Sequence, residues 1–151
     1  MSEYAFRESS GSRPFIKGIE HFAIAAIDPS RLANWYIQHL NFDPLLEIEG
    51  TVYIKSANSV VLEFVKAKTV RPKPQILDAG LRHIAFSVDD LEKAQAKLRM
   101  CGVEFESNLI ILPGMRLLFF RDAEGNFLHL IHREQALSSQ PCTELTRPFS
   151  V

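Results

Sequence analysis

The amino-acid sequence contains an internal duplication. The segment IEHFAIAAIDPSRLANWYIQHLNF, starting at Ile19, and LRHIAFSVDDLEKAQAKLRMCGV, starting at Leu81, align when His21 is set against His83, an offset of 62 residues. The same offset places Ala23 on Ala85 and Asp28 on Asp90. Each copy opens with an apolar stretch of high β-propensity, Ile19–Ile27 or Leu81–Val88. A helix follows in each. Its start is marked by Asp28 or Ser30 around Pro29 in the first copy, and by Asp89 or Asp90 in the second. Leu32, Trp35, Tyr36 and Leu40 recur at helical spacing, as do Leu91, Ala94 and Leu98. Three shorter strands close each copy, at about 43–49, 51–56 and 59–66, then about 103–107, 115–121 and 126–133. Ala57–Asn58, Pro113–Gly114 and Glu124–Gly125 supply turns. The pattern predicts an α+β fold of two tandem βαβββ modules. One such module leaves a sheet face bare; two that pair can cover it.

The 151 residues suit one domain. Residues 1–15, rich in Ser, Gly and Arg, read as a flexible arm, and 135–151 as a polar, non-periodic C-terminal tail. The domain is expected over 16–134, with module 1 at about 16–66, a Pro-containing basic linker at 67–79 and module 2 at about 80–134. A formal net charge of −1 argues against a nucleic-acid or acidic-membrane partner. No apolar run reaches membrane-spanning length, and the first residues carry no signal-peptide pattern, so the expected location is cytoplasmic. Cys101 and Cys142 make neither a disulfide framework nor a zinc-ribbon spacing. Cys101, ending a helical pattern, is expected to be half-buried.

Alternation along a strand puts Ile19, His21, Ala23 and Ala25 on one face, and Leu81, His83, Ala85 and Ser87 on the matching face of the second copy. Phe22, Ile24 and Phe86 take the opposite faces, suited to packing under a helix. Small neighbours around each histidine leave room for a cavity. The last strands, VVLEFV and NFLHLI, place Glu63 and His129 in corresponding apolar runs. A lone carboxylate in a buried strand costs on the order of several kcal/mol unless it is paired, protonated or bound to a cation. One divalent cation would satisfy Glu63 and all three imidazoles. His21 precedes Glu63 by 42 residues and His83 precedes His129 by 46, the same strand pair in each copy. Imidazole with carboxylate suits Fe²⁺, Ni²⁺, Mn²⁺, Co²⁺ or Zn²⁺. His132 is expected on the far side of its strand, and His39 at a helix end where the dipole favours it. Arg116, Arg121, Glu47, Glu49 and Tyr53 could line the pocket; each is read first as a surface residue, and Tyr53 is kept as a candidate substrate contact.

Residues 16–133 resemble the vicinal oxygen chelate superfamily: glyoxalase I, methylmalonyl-CoA epimerase, the extradiol dioxygenases, and the fosfomycin- and bleomycin-resistance proteins. The resemblance rests on IEHFAI, VVLEF, LRHIAFSVDDLEKA and FFRDAEGNFLHLI. It implies a half-open, eight-stranded barrel-like sheet with the helices outside. It also implies metal ligands from the first, fourth, fifth and eighth strands, positions held here by His21, Glu63, His83 and His129. His129 stands where the superfamily usually has Glu. In glyoxalase I that carboxylate also moves protons, a task open to imidazole, so Glu63 and His129 are the candidate catalytic groups. The implied activity is a metal-dependent lyase or isomerase acting on a small substrate with vicinal oxygens. The alternatives are an Fe(II) dioxygenase of the extradiol type and a metal-free drug-binding resistance protein. A homodimer is the expected assembly.

Overall fold

The computed structural model describes residues 15–139. The expectations for Cys142, for the arm before residue 15 and for most of the tail lie outside the described residues. Strand β1 (His21–Ala26) leads into helix α1 (Pro29–Leu40), followed by β2 (Asp43–Ile48), β3 (Thr51–Lys55) and β4 (Val61–Lys66). The second copy repeats the order with β5 (Ile84–Ser87), α2 (Leu91–Met100), β6 (Ile110–Leu112), β7 (Met115–Arg121) and β8 (Phe127–Arg133). Among the described residues, a 3-10 turn occupies Leu137–Ser139.

The eight strands form two four-stranded sheets, ordered β1-β4-β3-β2 and β5-β8-β7-β6. In each, the first strand runs parallel to the last, and the other pairs are antiparallel. No ladder joins the sheets among the described residues, so the barrel-like sheet stays open as two halves. Asp28 and Asp90 are the helix caps. Their carboxylates accept the backbone N–H of Arg31 at 3.0 Å and Lys93 at 2.8 Å. Pro29 occupies the first turn of α1, where its missing N–H costs nothing, and Asn41 ends the helix in the left-handed region at φ 59°.

Each helix covers one face of its own sheet. Leu32, Ala33 and Tyr36 of α1 are buried with Ile54, Leu62 and Phe64, while Leu91 and Leu98 of α2 are buried with Leu118, Phe120, Leu128 and Leu130. The two packings merge into one core, with Phe42 edge-on to Phe86 at 6.0 Å. A polar clasp also ties the modules. The Tyr36 hydroxyl donates to Asp122 Oδ2 at 3.0 Å, and Asp122 Oδ1 accepts the N–H groups of Glu124 and Asn126, each at 2.9 Å. Glu124 in turn accepts the N–H groups of Ile27 at 2.7 Å and Asp28 at 2.9 Å, just before α1. Gly125, at φ +88°, completes the turn that aims both carboxylates.

Three sequence readings change. The strand expected at 103–107 is reduced to a bridge between Phe105 and Phe120, and Ile110–Leu112 pairs with β7 instead. Pro113–Gly114 closes that tighter hairpin, which draws the pairing to the residues beside the turn. The ladder of β5 begins at Ile84, so His83 stands one residue before it. Cys101 is exposed, not half-buried, because it caps α2 at the solvent side just before Gly102 turns the chain.

Candidate functional site

Register places the four ligand-type side chains in two pairs. On the first sheet, His21 faces Val61 across the ladder, and Glu63 sits between Ala23 of β1 and Tyr53 of β3. His21, Glu63 and Tyr53 therefore share the face that α1 does not cover. His21 Nε2 lies 3.1 Å from Glu63 Oε2. The Tyr53 hydroxyl donates to Glu63 Oε1 at 2.5 Å, and its ring stands edge-on to His21. His21 Nδ1 meets the Glu20 carboxylate. Each ring nitrogen thus faces a carboxylate, and the imidazolium is favoured. The pKa of His21 is raised, chiefly by the hydrogen bond with Glu20, against a smaller opposing effect of burial, with Glu63 adding to the rise. The Tyr53 pKa is raised mainly by its bond to Glu63, so the phenol stays a donor.

On the second sheet, His129 pairs with Ala85 on one side and Phe119 on the other. The His83 and His129 rings lie 4.3 Å apart, with Phe119 5.0 Å from His129 and 5.6 Å from His83. Arg82 reaches over Phe119. Burial pushes His129 down to about 4, with His83 as the next cause, and burial likewise lowers His83. Both rings are therefore neutral at pH 7. His83 Nδ1 and both ring nitrogens of His129 are buried with no hydrogen-bond partner among the described residues. Such orphans cost about 1–3 kcal/mol each and call for a partner.

The chain brings His21 to Glu63 and His83 to His129, but not one pair to the other. Among the described residues no group of three or more His, Cys, Asp or Glu side chains is close enough to hold a metal ion. The donor chemistry of each pair fits a borderline divalent ion, and the orphaned nitrogens fit a ligand role. Within one chain each place holds two ligand-type side chains.

A cleft of about 1080 Å³ opens between the modules beneath the linker. Ala23 and Ala25 of β1 and His83 line it, so it communicates with both halves. Arg121 is one wall. It stacks on Phe127 at 3.6 Å, pairs with Glu106, and donates to the carbonyls of Gly125 at 2.7 Å and Pro74 at 3.2 Å. Arg116 pairs with Glu92. Glu47 and Glu49 lie on the exposed outer hairpin. His39 stacks on Trp35, and His132 points to the Val88 carbonyl at 3.1 Å. The clasp role of Asp122 and Glu124 and the placing of Phe119 against both histidines were not singled out from the sequence. Phe119 had a legible signal, since strand alternation puts it on the same face as Arg121 and Leu117.

Two open βαβββ modules, each carrying a pair of ligand-type side chains on its last strand and on or just before its first, define a class of protein. The chain belongs to the glyoxalase/bleomycin resistance protein/dioxygenase superfamily, whose family-wide profile matches residues 18–130. Among curated relatives, it is 31% identical over 119 residues to the uncharacterized protein YwkD of Bacillus subtilis, covering 72% of this chain and 91% of YwkD. It is 30% identical over 127 residues to the uncharacterized protein YaeR of Escherichia coli, covering 76% and 95%. Among solved structures, the glyoxalase family protein of Enterococcus faecalis superposes with a TM-score of 0.65 at 29% identity, covering 78% of this chain and 99% of that one. The superfamily includes both enzymes and non-enzymes, and its members bind small molecules. No helix among the described residues is long and apolar enough to cross a membrane.

Proposed function

We propose that the chain is a cytoplasmic, metal-dependent lyase or isomerase of its superfamily, acting on a small substrate with neighbouring oxygens. One divalent ion, Fe, Ni, Mn, Co or Zn, is held by His21 and Glu63 of one chain and by His83 and His129 of a second chain, in a homodimer with two equal sites. The observation that carries this reading is the complementarity of the two pairs. One sheet offers a carboxylate with an imidazole, the other offers two neutral imidazoles with three buried nitrogens unpartnered, and they stand on equivalent strands of the repeat. A two-fold pairing of unlike sheets completes both sites at once.

When bound, the ion supplies Lewis acidity toward the substrate oxygens. His129, neutral at pH 7, would hold the ion through one ring nitrogen and present the N–H of the other as a hydrogen-bond donor. The second oxygen of Glu63, Oε1, is held by the Tyr53 hydroxyl. Phe119 and the small residues Ala23 and Ala85 keep the faces around them apolar and uncluttered, which strengthens each polar contact. The cleft under the linker is the approach for the substrate.

A second reading is a metal-free ligand-binding protein. It is favoured by the lack of any three-residue ligand group within the described part of one copy. Elemental analysis of protein purified without added metal separates the two. The enzyme reading expects one divalent ion per chain, lost in His21→Ala and in His83→Ala. Metal-free wild-type protein that takes up none on addition supports the binding protein. A screen of glyoxal–thiol adducts, acyl-CoA thioesters and catechols then names the chemistry, and oxygen consumption on catechols marks a dioxygenase.

A further inference from the structure

Tyr53 lies directly across the β3–β4 ladder from Glu63, one strand further from β1 than Glu63 itself. Its hydroxyl takes one carboxylate oxygen, Oε1, at 2.5 Å. The other oxygen, Oε2, lies 3.1 Å from His21 Nε2. The two oxygens of Glu63 are therefore divided between two partners on opposite sides. A hydrogen bond from a phenol to a carboxylate is among the stronger neutral-to-ion contacts, and it fixes the plane of the acid. Packing alone asks for no hydroxyl here: Phe would keep the ring against His21, and the neighbouring positions on this sheet face, Val61 and Val65, are plain aliphatics.

We propose that Tyr53 is a positioning residue for the metal. By holding Oε1, it presents Oε2 alone on the His21 side, so Glu63 binds the ion through a single oxygen. This inference rests on the metal reading given above. Its consequence is a coordination position left free for a substrate oxygen, which a carboxylate gripping through both oxygens would fill. Tyr53 in this role touches the ligand, not the substrate, unlike the contact expected from its sequence alone.

The test uses the full chain loaded with Co²⁺. Affinity is read by competition with a chelator and coordination by the visible absorption of the ion. Tyr53→Phe keeps the ring and is expected to fold and to bind the same amount of Co²⁺. Its affinity is expected to fall by about 10- to 100-fold, the usual effect of removing a partner of a metal ligand. Its visible bands are expected to weaken as a second Glu63 oxygen raises the coordination number. In a Glu63→Gln background, Tyr53→Phe is expected to add no further loss. Unchanged affinity and bands in Tyr53→Phe, or an equal loss with and without Glu63, would overturn the positioning role. Wild-type protein that binds no Co²⁺, or Glu63→Gln that binds as tightly as wild type, removes the metal reading and this role with it.

Discussion

His21 and His83 occupy equivalent places in the two copies, yet they meet opposite surroundings. His21 is partly open to solvent and lies between the carboxylates of Glu20 and Glu63, which favour its protonated form. His83 lies against His129 and Phe119, where burial favours the neutral ring. Local surroundings make the difference: the Glu20 carboxylate beside His21, with Glu63 adding to it, raises that ring's pKa, while burial, then Arg82, lowers that of His83. A metal ligand must be deprotonated. On the proposed metal reading, the module 1 half would exchange a proton for an ion, while the module 2 half is already neutral. The two modules share a backbone frame, and the neighbours and burial of each histidine set its electrostatics.

The contrast can be broken first through the clasp between the modules. Asp122→Ala strands the Tyr36 hydroxyl and three N–H groups of the 122–126 turn. The expected loss is about 3 kcal/mol of stability by chemical denaturation. The His129 titration should stay near its wild-type position, because that pair lies within its own sheet; a His129 pKa that returns to the ordinary range would show that the pair depends on the clasp.

Removing the polar rings gives a smaller effect of opposite sign. In metal-free protein at pH 7.5, His129→Leu is expected to stabilise the fold by about 1–2 kcal/mol, since it replaces a buried ring without partners by an apolar side chain. His21→Leu is expected to stay within about 0.5 kcal/mol of wild type, as exposed substitutions do. Equal effects at the two positions would erase the distinction drawn between them.

The finest test is titration by NMR in metal-free protein. His129 should titrate near 4 and His21 above its ordinary 6.5. A lowered folded pKa means that the unfolded chain binds the proton more readily. The His129 contribution is thus full above pH 6.5 and is lost as the pH falls toward 4. His21 has the reverse sign: its contribution is present below 6.5 and fades as the pH rises through its raised value. His129→Leu should flatten the acid side of the stability profile only.

Much of this was legible in the amino-acid sequence. The repeat offset, the capping aspartates and the alternation around His21, Glu63, His83 and His129 each depend on neighbours one to four residues away, which a linear pattern records. The pairing of Glu63 with His21, and of His129 with His83, follows from the equal order of strands in each copy. What the pattern could not carry was distance between modules. Nothing in the spacing says that the two pairs stay apart within one copy, or that Glu124 reaches across to the N–H groups of Ile27 and Asp28. The partner of the Tyr53 hydroxyl was hidden for a similar reason, because a tyrosine beside a substrate pocket and a tyrosine holding a carboxylate read alike. The displaced β6 was lost to turn chemistry: Pro113–Gly114 pairs its immediate neighbours and leaves Phe105 only a bridge.

Two inactive variants mixed together probe the shared site. His21→Ala/Glu63→Ala retains only the module 2 pair, and His83→Ala/His129→Ala retains only the module 1 pair. Each alone should bind no divalent ion at wild-type affinity. Refolded together, they should form mixed dimers in which one intact site reappears, with tight metal binding restored in the mixture. A mixture that binds no more metal than its separate components, while wild-type protein does bind, would contradict a site built from two copies.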